Sequence, residues 1–477
     1  MCPLARLRSS VRRMLPVAIA LAAPWAVASG ETPVGEEPQL GVRLTQADAA
    51  AMPIEELAEH GLRVFTTPFN KLDGYGDGPM NFNDTVNPGG RPTLQGNGTF
   101  LRVNGLDAQT CLECHWVTSA GTIPFTPGIG GVGTSNNNAL IMPTAIDPAD
   151  LEDLDEIAGF NGRFANPPFL FGSGGVELVA LEMTADLQEL KARAVATPNV
   201  PVELLTKGVH FGWIVAGPNG ELDTTAVEGV ESDLVVRPFG RKGEFATVRR
   251  FDIEALQFHL GMQPVEVVGE HIDADGDGVV NEILPGELSA LHAFAVTLDR
   301  PQQDRATLTS NAGQATFRAI GCADCHVPTL STRSRDLPLR FPEVETDMTV
   351  NVFRTVDLSQ PPMKFERNAQ GGVEVPLFSD LKRHDMGDAL AENFARVPNA
   401  SFNRQFVTAR LWGIADSAPY LHDGRATTLT EAILFHGGEA QDARDGFAAL
   451  SDAEKNAVLT FLRTLRTPIQ QASGRRR

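Results

Sequence analysis

Residues 313–326 have the sequence Gly313-Gln-Ala-Thr-Phe317-Arg-Ala-Ile320-Gly-Cys322-Ala-Asp-Cys325-His326. The last five residues form a Cys-x-x-Cys-His motif, which is the attachment signature of a c-type haem. The two cysteines can form thioethers with the vinyl groups of a porphyrin, and His326 is then positioned as the proximal ligand of the iron. Phe317 and Ile320 lie on one helical face ahead of the motif, so we expect them to form an apolar wall beside the haem.

The same motif occurs earlier in the chain, as Cys111-Leu-Glu-Cys114-His115. One zinc ion bound by both cysteine pairs, or a thiol redox pair, would use the same cysteines. However, zinc does not require a histidine directly after each pair, and the two pairs lie about 200 residues apart. The spacing therefore favours two covalently bound haem c groups, with His115 and His326 as the proximal iron ligands.

The first residues have the pattern of a secretory signal peptide. Four arginines precede an apolar run from residue 15 to 27, and small residues follow at positions 26–28. This order predicts a signal peptide over residues 1–28, which also contains the fifth cysteine, Cys2. A retained membrane anchor is disfavoured because Pro16 and Pro24 interrupt a short apolar run. Because bacterial haem c attachment takes place outside the inner membrane, we expect a periplasmic mature protein without a membrane span.

The formal net charge of the chain is −20 at pH 7, and it becomes −24 when the four arginines of the signal peptide are removed. Such an acidic chain excludes nucleic acid as a partner and favours a basic electron donor that is steered by electrostatic attraction. Solubility alone explains the charge equally well. The expected donor is a small cytochrome, a cupredoxin or a quinol-linked chain, and the sequence does not indicate an oligomeric state.

We predict a mainly α-helical fold with two cytochrome c-like domains, each with one covalently bound haem. Gly61-Leu-Arg-Val-Phe65 echoes the Gly313-x-x-x-Phe317 pattern ahead of the second motif, which indicates a weak internal repeat. The predicted domains cover residues 29–200 and 301–470. Residues 201–300 are predicted to be a connecting segment of loops and a few short strands.

The first haem motif is followed by no histidine until His210. Met142 is the nearest soft ligand candidate, although core packing explains it as well. An iron without a strong sixth ligand has an open face for peroxide or oxygen, which indicates catalysis. Glu177 follows a glycine-rich stretch at residues 172–175 that would allow the porphyrin to approach, and we predict it as the acid–base residue over the open haem. Its alternative role is that of an acid at a helix N-terminus.

Residues 273–282 read Asp273-Ala-Asp-Gly-Asp-Gly-Val-Val-Asn-Glu282. Carboxylates at loop positions one, three and five, with glycine at position six, are typical of calcium loops. The twelfth position is Leu284 where a bidentate glutamate is expected, so Glu282 or Glu287 is the candidate substitute. A calcium site and an acidic surface turn both stay open.

The C-terminal third supplies the candidate distal ligands of the second haem. Met386, His422 and His436 lie there in an acidic, glycine-rich region. Trp116 and Trp213 are candidate electron relays between the haems, or else core aromatics.

The segment Ala418-Pro-Tyr-Leu-His-Asp-Gly424, together with the two widely spaced haem motifs, resembles the bacterial di-haem cytochrome c peroxidase and MauG-like superfamily. The closer resemblance is to its di-haem oxidoreductase branch, also described as thiol oxidoreductases. The resemblance extends from about residue 45 to 466, and the matching segments are Asp73–Asn81, Phe239–Ala246, His384–Gly387, His422–Ala426 and His436–Ala440.

This resemblance implies that one haem is a high-potential relay, whereas the N-terminal haem binds peroxide. It also implies that the axial ligand of the relay haem lies 14 positions after His422, which is His436. Peroxidases have Met there and MauG-like enzymes have Tyr, so His436 implies a bis-His second haem of lower potential, with Met386 as the competing ligand. Glu177 falls near the distal acid of the family, and Trp412 stands where peroxidases carry an Arg.

The predicted function is reductive cleavage of an O–O bond at the His115 haem, with Glu177 moving the proton and electrons arriving through the His326 haem. Two other functions stay open. One is a plain electron-transfer cytochrome with two six-coordinate irons, and the other is a MauG-like oxidase of a protein or organic substrate. An open first haem favours the enzymes, whereas Met142 as a strong ligand favours the electron carrier.

Overall fold

The computed structural model of the chain describes residues 37–76, 78, 108–115, 140–146, 160–167, 170–392 and 400–468. Residues 1–36, with the predicted signal peptide, lie outside this description. The α-helices within it are α1 (Gln46–Ala51), α2 (Ile54–Thr66), α3 (Ser173–Ala196), α4 (Val248–Ala255), α5 (Val265–Val268), α6 (Pro285–Val296), α7 (Leu308–Ala319), α8 (Ala400–Arg404), α9 (Leu429–Leu434), α10 (Gln441–Ala449) and α11 (Asp452–Leu462).

The strands of the described residues are short and pair in antiparallel sheets of two or three. Their sheet orders are β3-β4-β5, β10-β11-β7, β1-β2, β8-β9, β12-β13 and β14-β6. The strands are β1 (Leu140–Ile146), β2 (Phe160–Ala165), β3 (Val202–Thr206), β4 (Val209–Ala216), β5 (Leu222–Asp223), β6 (Gln302–Gln303), β7 (Leu330–Ser331), β8 (Asp336–Arg340), β9 (Val352–Asp357), β10 (Glu366–Arg367), β11 (Val373–Val375), β12 (Arg383–Asp385), β13 (Gln405–Val407) and β14 (Leu465–Arg466).

Helix α2 packs on α6 at a contact that a glycine makes possible. A Cβ atom on Gly61 would overlap the carbonyl oxygen of Ala290, so the two backbones touch at this point. One turn further along each helix, the rings of Phe65 and Phe294 pack with their centroids 5.1 Å apart. Both rings belong to the hydrophobic cluster that includes Cys114 of the first haem motif. This helix pair therefore supports the first motif.

Helix α7 packs on α11 in the same way. A Cβ atom on Gly313 would overlap the carbonyl oxygen of Ala457, and the rings of Phe317 and Phe461 have centroids 5.4 Å apart. In both pairs a Gly-x-x-x-Phe helix therefore faces an Ala-x-x-x-Phe helix. The internal repeat predicted from the sequence is present in the packing.

A third hydrophobic cluster surrounds α3. The helix is buried on every side from Ser173 to Thr184, and it packs against β3, β4 and β8. A helix without a solvent-facing side in this half must be apolar or have its polar groups paired. The polar residues of this half are therefore the ones to examine for function.

The mainly α-helical fold is confirmed, but two details of the predicted organisation differ from the structure. Strands β6–β14 lie within residues 301–470, where a helical domain was expected, so strands are not confined to the connecting segment. In addition, α6 lies in the predicted connecting segment, residues 201–300, and yet packs on α2. The boundary at residue 200 therefore separates two halves of one helix pair, because the apolar face of α2 is buried by a helix distant in sequence.

None of the described helices combines the length and the apolar character that a membrane crossing requires.

The α7–α11 contact predicts that Gly313→Ala destabilises the protein. The added methyl group must push the two backbones apart, which costs about 1–3 kcal/mol of unfolding free energy. Thermal unfolding of Gly313→Ala and wild-type protein measures this difference. Gly41→Ala is the matched control, because a Cβ atom there meets no atom within 4 Å. Equal melting temperatures for Gly313→Ala and Gly41→Ala would contradict the close contact.

Candidate functional site

The second haem motif lies on a tight turn directly after α7. Gly321 has a φ angle of 87°, which is accessible to glycine, and a 3₁₀ turn follows at Cys322–Asp324. The backbone amide of His326 donates to the carbonyl of Cys322 at 3.0 Å, which folds the histidine back over the turn. The ring of Phe317 lies 6.3 Å from the ring of His326, as expected for the apolar wall.

The ring of His436 faces the ring of His326, and their centroids are 6.4 Å apart. The Nδ1 atom of His326 lies 3.1 Å from the carbonyl oxygen of Phe378, and that of His436 lies 2.8 Å from the carbonyl oxygen of Ala432. These hydrogen bonds keep the proton on Nδ1 and leave Nε2 of each ring for a metal ion. Two imidazoles that bind one ion through Nε2 at about 2 Å have centroids roughly 6 Å apart. The pair therefore has the spacing of two axial ligands.

Both histidines are held in the neutral form that binds a metal ion. Burial and the facing ring of His436 lower the pKa of His326 to about 4. Burial also lowers the pKa of His436, although the hydrogen bond to Ala432 opposes this. At neutral pH no proton has to leave either ring before an ion binds.

Met386 lies close to His436, because the backbone at Met386 and Gly387 packs directly on Gly437 and Gly438. It therefore stays the competing ligand. The third candidate, His422, makes different contacts. Its ring is stacked on Phe406 at a centroid distance of 4.5 Å, and its Nε2 atom lies 3.6 Å from Glu392.

His384 lies beside Cys325 of the second motif but has both ring nitrogens engaged. Nδ1 lies 2.7 Å from Glu439 and Nε2 lies 2.8 Å from Asp380. Burial lowers the pKa of His384, but hydrogen bonds to Asp380, Cys325 and Glu439 outweigh burial and raise it to about 11. His384 is therefore a charged group beside the motif and is not available as an iron ligand.

The first haem motif has the same local structure as the second. Thr110 caps a 3₁₀ turn at Cys111–Glu113, and the amide of His115 donates to the carbonyl of Cys111 at 2.9 Å. Burial raises the pKa of the Cys111 thiol to about 12, and the nearby carboxylate of Asp252 adds to this effect. Cys111 and Cys114 pack in one hydrophobic cluster and Cys322 packs in another, which disfavours one zinc ion bound by both pairs.

Glu177 is fully buried in the second turn of α3. One carboxylate oxygen accepts a hydrogen bond from the backbone amide of Val248, the first residue of α4, at 2.9 Å. The other oxygen lies 3.0 Å from Nε2 of His292. The alternative role of an acid at the N-terminus of its own helix is wrong, because the first turn of α3 contains no acid.

His292 and Glu343 form a buried cluster with Glu177, and one ligand atom from each lies within 4.8 Å of the other two. The hydroxyl of Thr247 donates to Glu343 at 2.6 Å. Asp252 faces the same cluster. It is a half-buried residue whose Oδ2 atom is buried without a hydrogen-bond partner. The group thus holds three carboxylates and one imidazole beside the first haem motif.

The charges in this cluster do not balance without additional protons. Arg249 lies nearby, but its guanidinium is paired with Glu266 at 2.5 Å. Burial raises the pKa of Asp252 to about 8, with His292 opposing and Glu177 reinforcing the shift. Burial lowers the pKa of His292, but the charge and the hydrogen bond of Glu177 outweigh it, so the net shift is upward. The pKa shifts of Asp252 and His292 are thus both upward, and each shift favours the protonated form of its group.

The sequence prediction missed His292, Asp252 and Glu343. A signal for His292 was present, because α6 reads Pro-Gly-Glu-Leu-Ser-Ala-Leu-His-Ala-Phe-Ala-Val and is buried on all sides from Gly286 to Val296. A histidine inside such an apolar helix needs a buried polar partner. Nothing local to Asp252 or Glu343 in the sequence indicates that they share this cluster.

The glycines ahead of Glu177 make close contacts with the protein itself. A Cβ atom on Gly172 would collide with the ring of Trp412, and one on Gly175 would collide with the ring of Phe365. Close packing within the protein therefore accounts for these glycines, and the expected approach of the porphyrin stays a prediction. Trp412 is 4% exposed, and its Nε1 atom has no hydrogen-bond partner.

The remaining sequence candidates fall partly outside the described residues. Trp116 lies outside them. Met142 lies in β1, where only the backbone is described, paired with Arg163 of β2. Trp213 is 43% exposed on β4, with its ring 6.0 Å from that of His210, so its interpretation as a core aromatic is wrong.

Residues 289–465 match the family model described as "Di-haem oxidoreductase, putative peroxidase". A curated relative, the cytochrome-c peroxidase IdrP2 of Denitromonas iodatirespirans, is 26% identical over 208 residues, which are 43% of this chain and 49% of that protein. The chain thus spans about half the length of this curated relative.

Three solved structures are similar to the chain. The hydrazine synthase of Kuenenia stuttgartiensis is 16% identical, and the match covers 95% of this chain and 100% of that chain with a TM-score of 0.33. A MauG-like protein associated with microbial copper homeostasis is 16% identical, with 53% of this chain and 78% of that chain covered and a TM-score of 0.29. The diheme peroxidase BthA from Burkholderia thailandensis is 14% identical, with 48% of this chain and 65% of that chain covered and a TM-score of 0.28.

The resemblance found in the sequence is confirmed: residues 289–465 match the di-haem oxidoreductase family model, and the chain is similar to a cytochrome-c peroxidase. The family implies haem cofactors. The residues of the second motif fit such a group, because two neutral imidazoles face each other at the spacing of axial ligands.

The facing histidines predict that His436→Ala converts one of the two haems from low-spin to high-spin, because its iron loses a strong axial ligand. Electron paramagnetic resonance and optical spectra of the purified variant measure this change. Met386→Leu is the matched variant and should leave the spectra unchanged. A spectral change in Met386→Leu but not in His436→Ala would assign the ligand to Met386 instead.

The raised pKa of Asp252 predicts a pH-dependent stability. The folded protein binds the carboxyl proton of Asp252 more tightly than the unfolded chain does. The contribution of this proton to the free energy of unfolding is therefore complete below about pH 4 and is lost as the pH rises through about 8. Asp252→Asn should therefore lose less thermal stability than the wild type between about pH 5 and about pH 9, by a few degrees in melting temperature. Scanning calorimetry at both pH values tests this, with the exposed Asp442→Asn as control. Identical losses in all three proteins would contradict it.

Proposed function

We propose that the chain is a periplasmic di-haem c-type oxidoreductase that reduces peroxide at the first haem with electrons relayed by the second. One observation carries the proposal: the two haem motifs have different surroundings. The second motif has a histidine facing His326, whereas a buried acid–base cluster with Glu177 and His292 lies beside the first. A relay site needs two strong ligands, and a reaction site needs a proton source.

In this proposal the two Cys-x-x-Cys-His motifs attach the haems. Cys111 and Cys114 form the thioethers of the first haem, and Cys322 and Cys325 form those of the second. His115 and His326 are the proximal ligands. When bound, the haem iron supplies the redox chemistry for O–O cleavage.

The proton chemistry belongs to the side chains of the cluster. Cleavage of one peroxide to two molecules of water takes up two electrons and two protons. Glu177 donates a proton to the substrate oxygen and recovers one from His292, which lies 3.0 Å away. The amide of Val248 holds the Glu177 carboxylate in a fixed orientation. Glu343 and Asp252 hold the further protons in the buried interior.

The second motif serves electron transfer. His326 and His436 would hold the haem iron of this motif through Nε2, and the hydrogen bonds from Nδ1 to the carbonyl oxygens of Phe378 and Ala432 would keep both rings in orientation. A small basic cytochrome, a cupredoxin or a quinol-linked chain supplies the electrons, and the net charge of −20 attracts a basic donor.

The test is peroxide-dependent oxidation of a reduced small cytochrome by the purified di-haem protein. Glu177→Gln should lower kcat by about 100-fold to 1,000-fold, because the amide does not transfer the proton. Glu189→Gln is the matched control, since it removes an exposed acid from the same helix. The haem content and the spectrum of the second haem should be unchanged in both variants.

Three results would overturn the proposal. Full activity of Glu177→Gln would remove Glu177 from the mechanism. Two low-spin haems that do not react with peroxide in any redox state would identify an electron-transfer cytochrome. Peroxide-driven oxidation of an organic or protein substrate, without use of the reduced donor, would identify a MauG-like oxidase.

A further inference from the structure

The acidic loop Asp273–Glu282 takes no part in the proposed peroxide reaction. Its three aspartates, Asp273, Asp275 and Asp277, bring one carboxylate oxygen each to within 4.8 Å of the others. Gly276 and Gly278 have φ angles of 75° and 93°, which curl the backbone around this point. Backbone amides of the loop donate to all three aspartates, so the carboxylates converge instead of spreading into solvent.

The structure distinguishes the two glutamates considered as the missing ligand. Glu287 pairs with Arg43 at 2.6 Å and accepts from the amide of Leu284 at 2.7 Å, so its carboxylate is already engaged. Glu282 is 2% exposed. One of its oxygens accepts from the amide of Gln263 at 2.6 Å, whereas the other, Oε1, is buried without a hydrogen-bond partner.

A second carboxylate oxygen of the loop also lacks a hydrogen-bond donor. Oδ2 of Asp275 is also buried without a hydrogen-bond partner. Two buried carboxylate oxygens without donors are costly unless a proton or a cation is shared between them. Arg43 approaches this region, but its guanidinium donates to the backbone carbonyls of residues 281 and 282 and pairs with Glu287. It therefore does not neutralise the carboxylates.

Burial, reinforced by mutual repulsion, disfavours the charged form of these acids. Burial raises the pKa of Glu282 to about 9, and the charges of Asp275, Asp277 and Asp273 reinforce the shift. Burial raises the pKa of Asp275 to about 7, and Asp277 adds to it.

We infer that Asp273, Asp275, Asp277 and Glu282 bind a calcium ion. Every donor is a carboxylate oxygen, which suits a hard cation and disfavours zinc or copper. The donors come from a curled loop and from one buried side chain, Glu282, on which the charges of all three aspartates act. Calcium accepts such an irregular arrangement, whereas magnesium requires a near-ideal octahedron and retains its water.

The same loop also touches the segment that leads to the first haem motif. A Cβ atom on Gly78 would overlap the carbonyl oxygen of Asp275, and one on Gly74 would overlap the side chain of Glu282. From this segment, the hydroxyl of Tyr75 donates to the carbonyl of Ala108 at 3.0 Å, three residues before Cys111. Calcium therefore fixes the support of the first haem motif, and the second motif packs in a separate cluster.

The experiment measures calcium binding to the calcium-depleted, haem-loaded protein by isothermal titration calorimetry and by thermal unfolding. We expect one bound calcium ion and a rise in melting temperature on its addition. Glu282→Gln should weaken binding by at least about tenfold, because it removes a charged ligand oxygen. Asp277→Asn, at the more exposed side of the loop, should also weaken binding. Glu270→Gln, an exposed acid next to the loop, is the matched control and should bind as the wild type.

A second readout is independent of peroxide turnover. Calcium removal should alter the electron paramagnetic resonance signal of the first haem and leave that of the second haem unchanged. The inference is overturned if the wild type binds no calcium at millimolar concentration, if magnesium binds equally well, or if Glu282→Gln and Asp277→Asn both keep wild-type affinity. Loss of peroxide activity alone would not produce these results, so the two proposals fail independently.

Discussion

The packing of α2 on α6 and that of α7 on α11 each depend on a backbone contact that a residue larger than glycine would prevent. At Gly61 and at Gly313 the helix backbone lies directly against a carbonyl of the partner helix. This close approach brings one pair of phenylalanine rings together in each cluster. Because each haem motif packs in the cluster of its own helix pair, the positions of both motifs depend on these two glycines.

Both motifs have this same helix-pair support, but the tertiary fold brings different side chains to each of them. The second motif receives His436 from the segment after α9, with a neutral ring that faces His326. The first motif lies beside carboxylates from α3, α4 and the loop before β9, together with His292 of α6. Two similar turns are thus placed in an environment suited to electron transfer and in one suited to proton transfer.

The acid–base cluster and the acidic loop illustrate two ways to accommodate buried carboxylates. In the cluster, Glu177 shares a hydrogen bond with His292, and Asp252 retains its proton because burial raises its pKa to about 8. In the loop, Glu282 lies among the charges of Asp273, Asp275 and Asp277, and the unpartnered oxygens point to a cation. The first arrangement suits proton exchange, whereas the second suits a fixed structural charge.

The sequence by itself determined both Cys-x-x-Cys-His motifs and the repeat of Gly61 and Gly313, because these depend on local spacing, and its resemblance to the di-haem oxidoreductases supplied the candidate His436. Only the tertiary structure showed that α6 completes the first helix pair, that His292 is the partner of Glu177 and that Glu282 is the acid left without a donor. These contacts join residues more than 100 positions apart or depend on burial, and neither spacing nor composition encodes which buried groups meet.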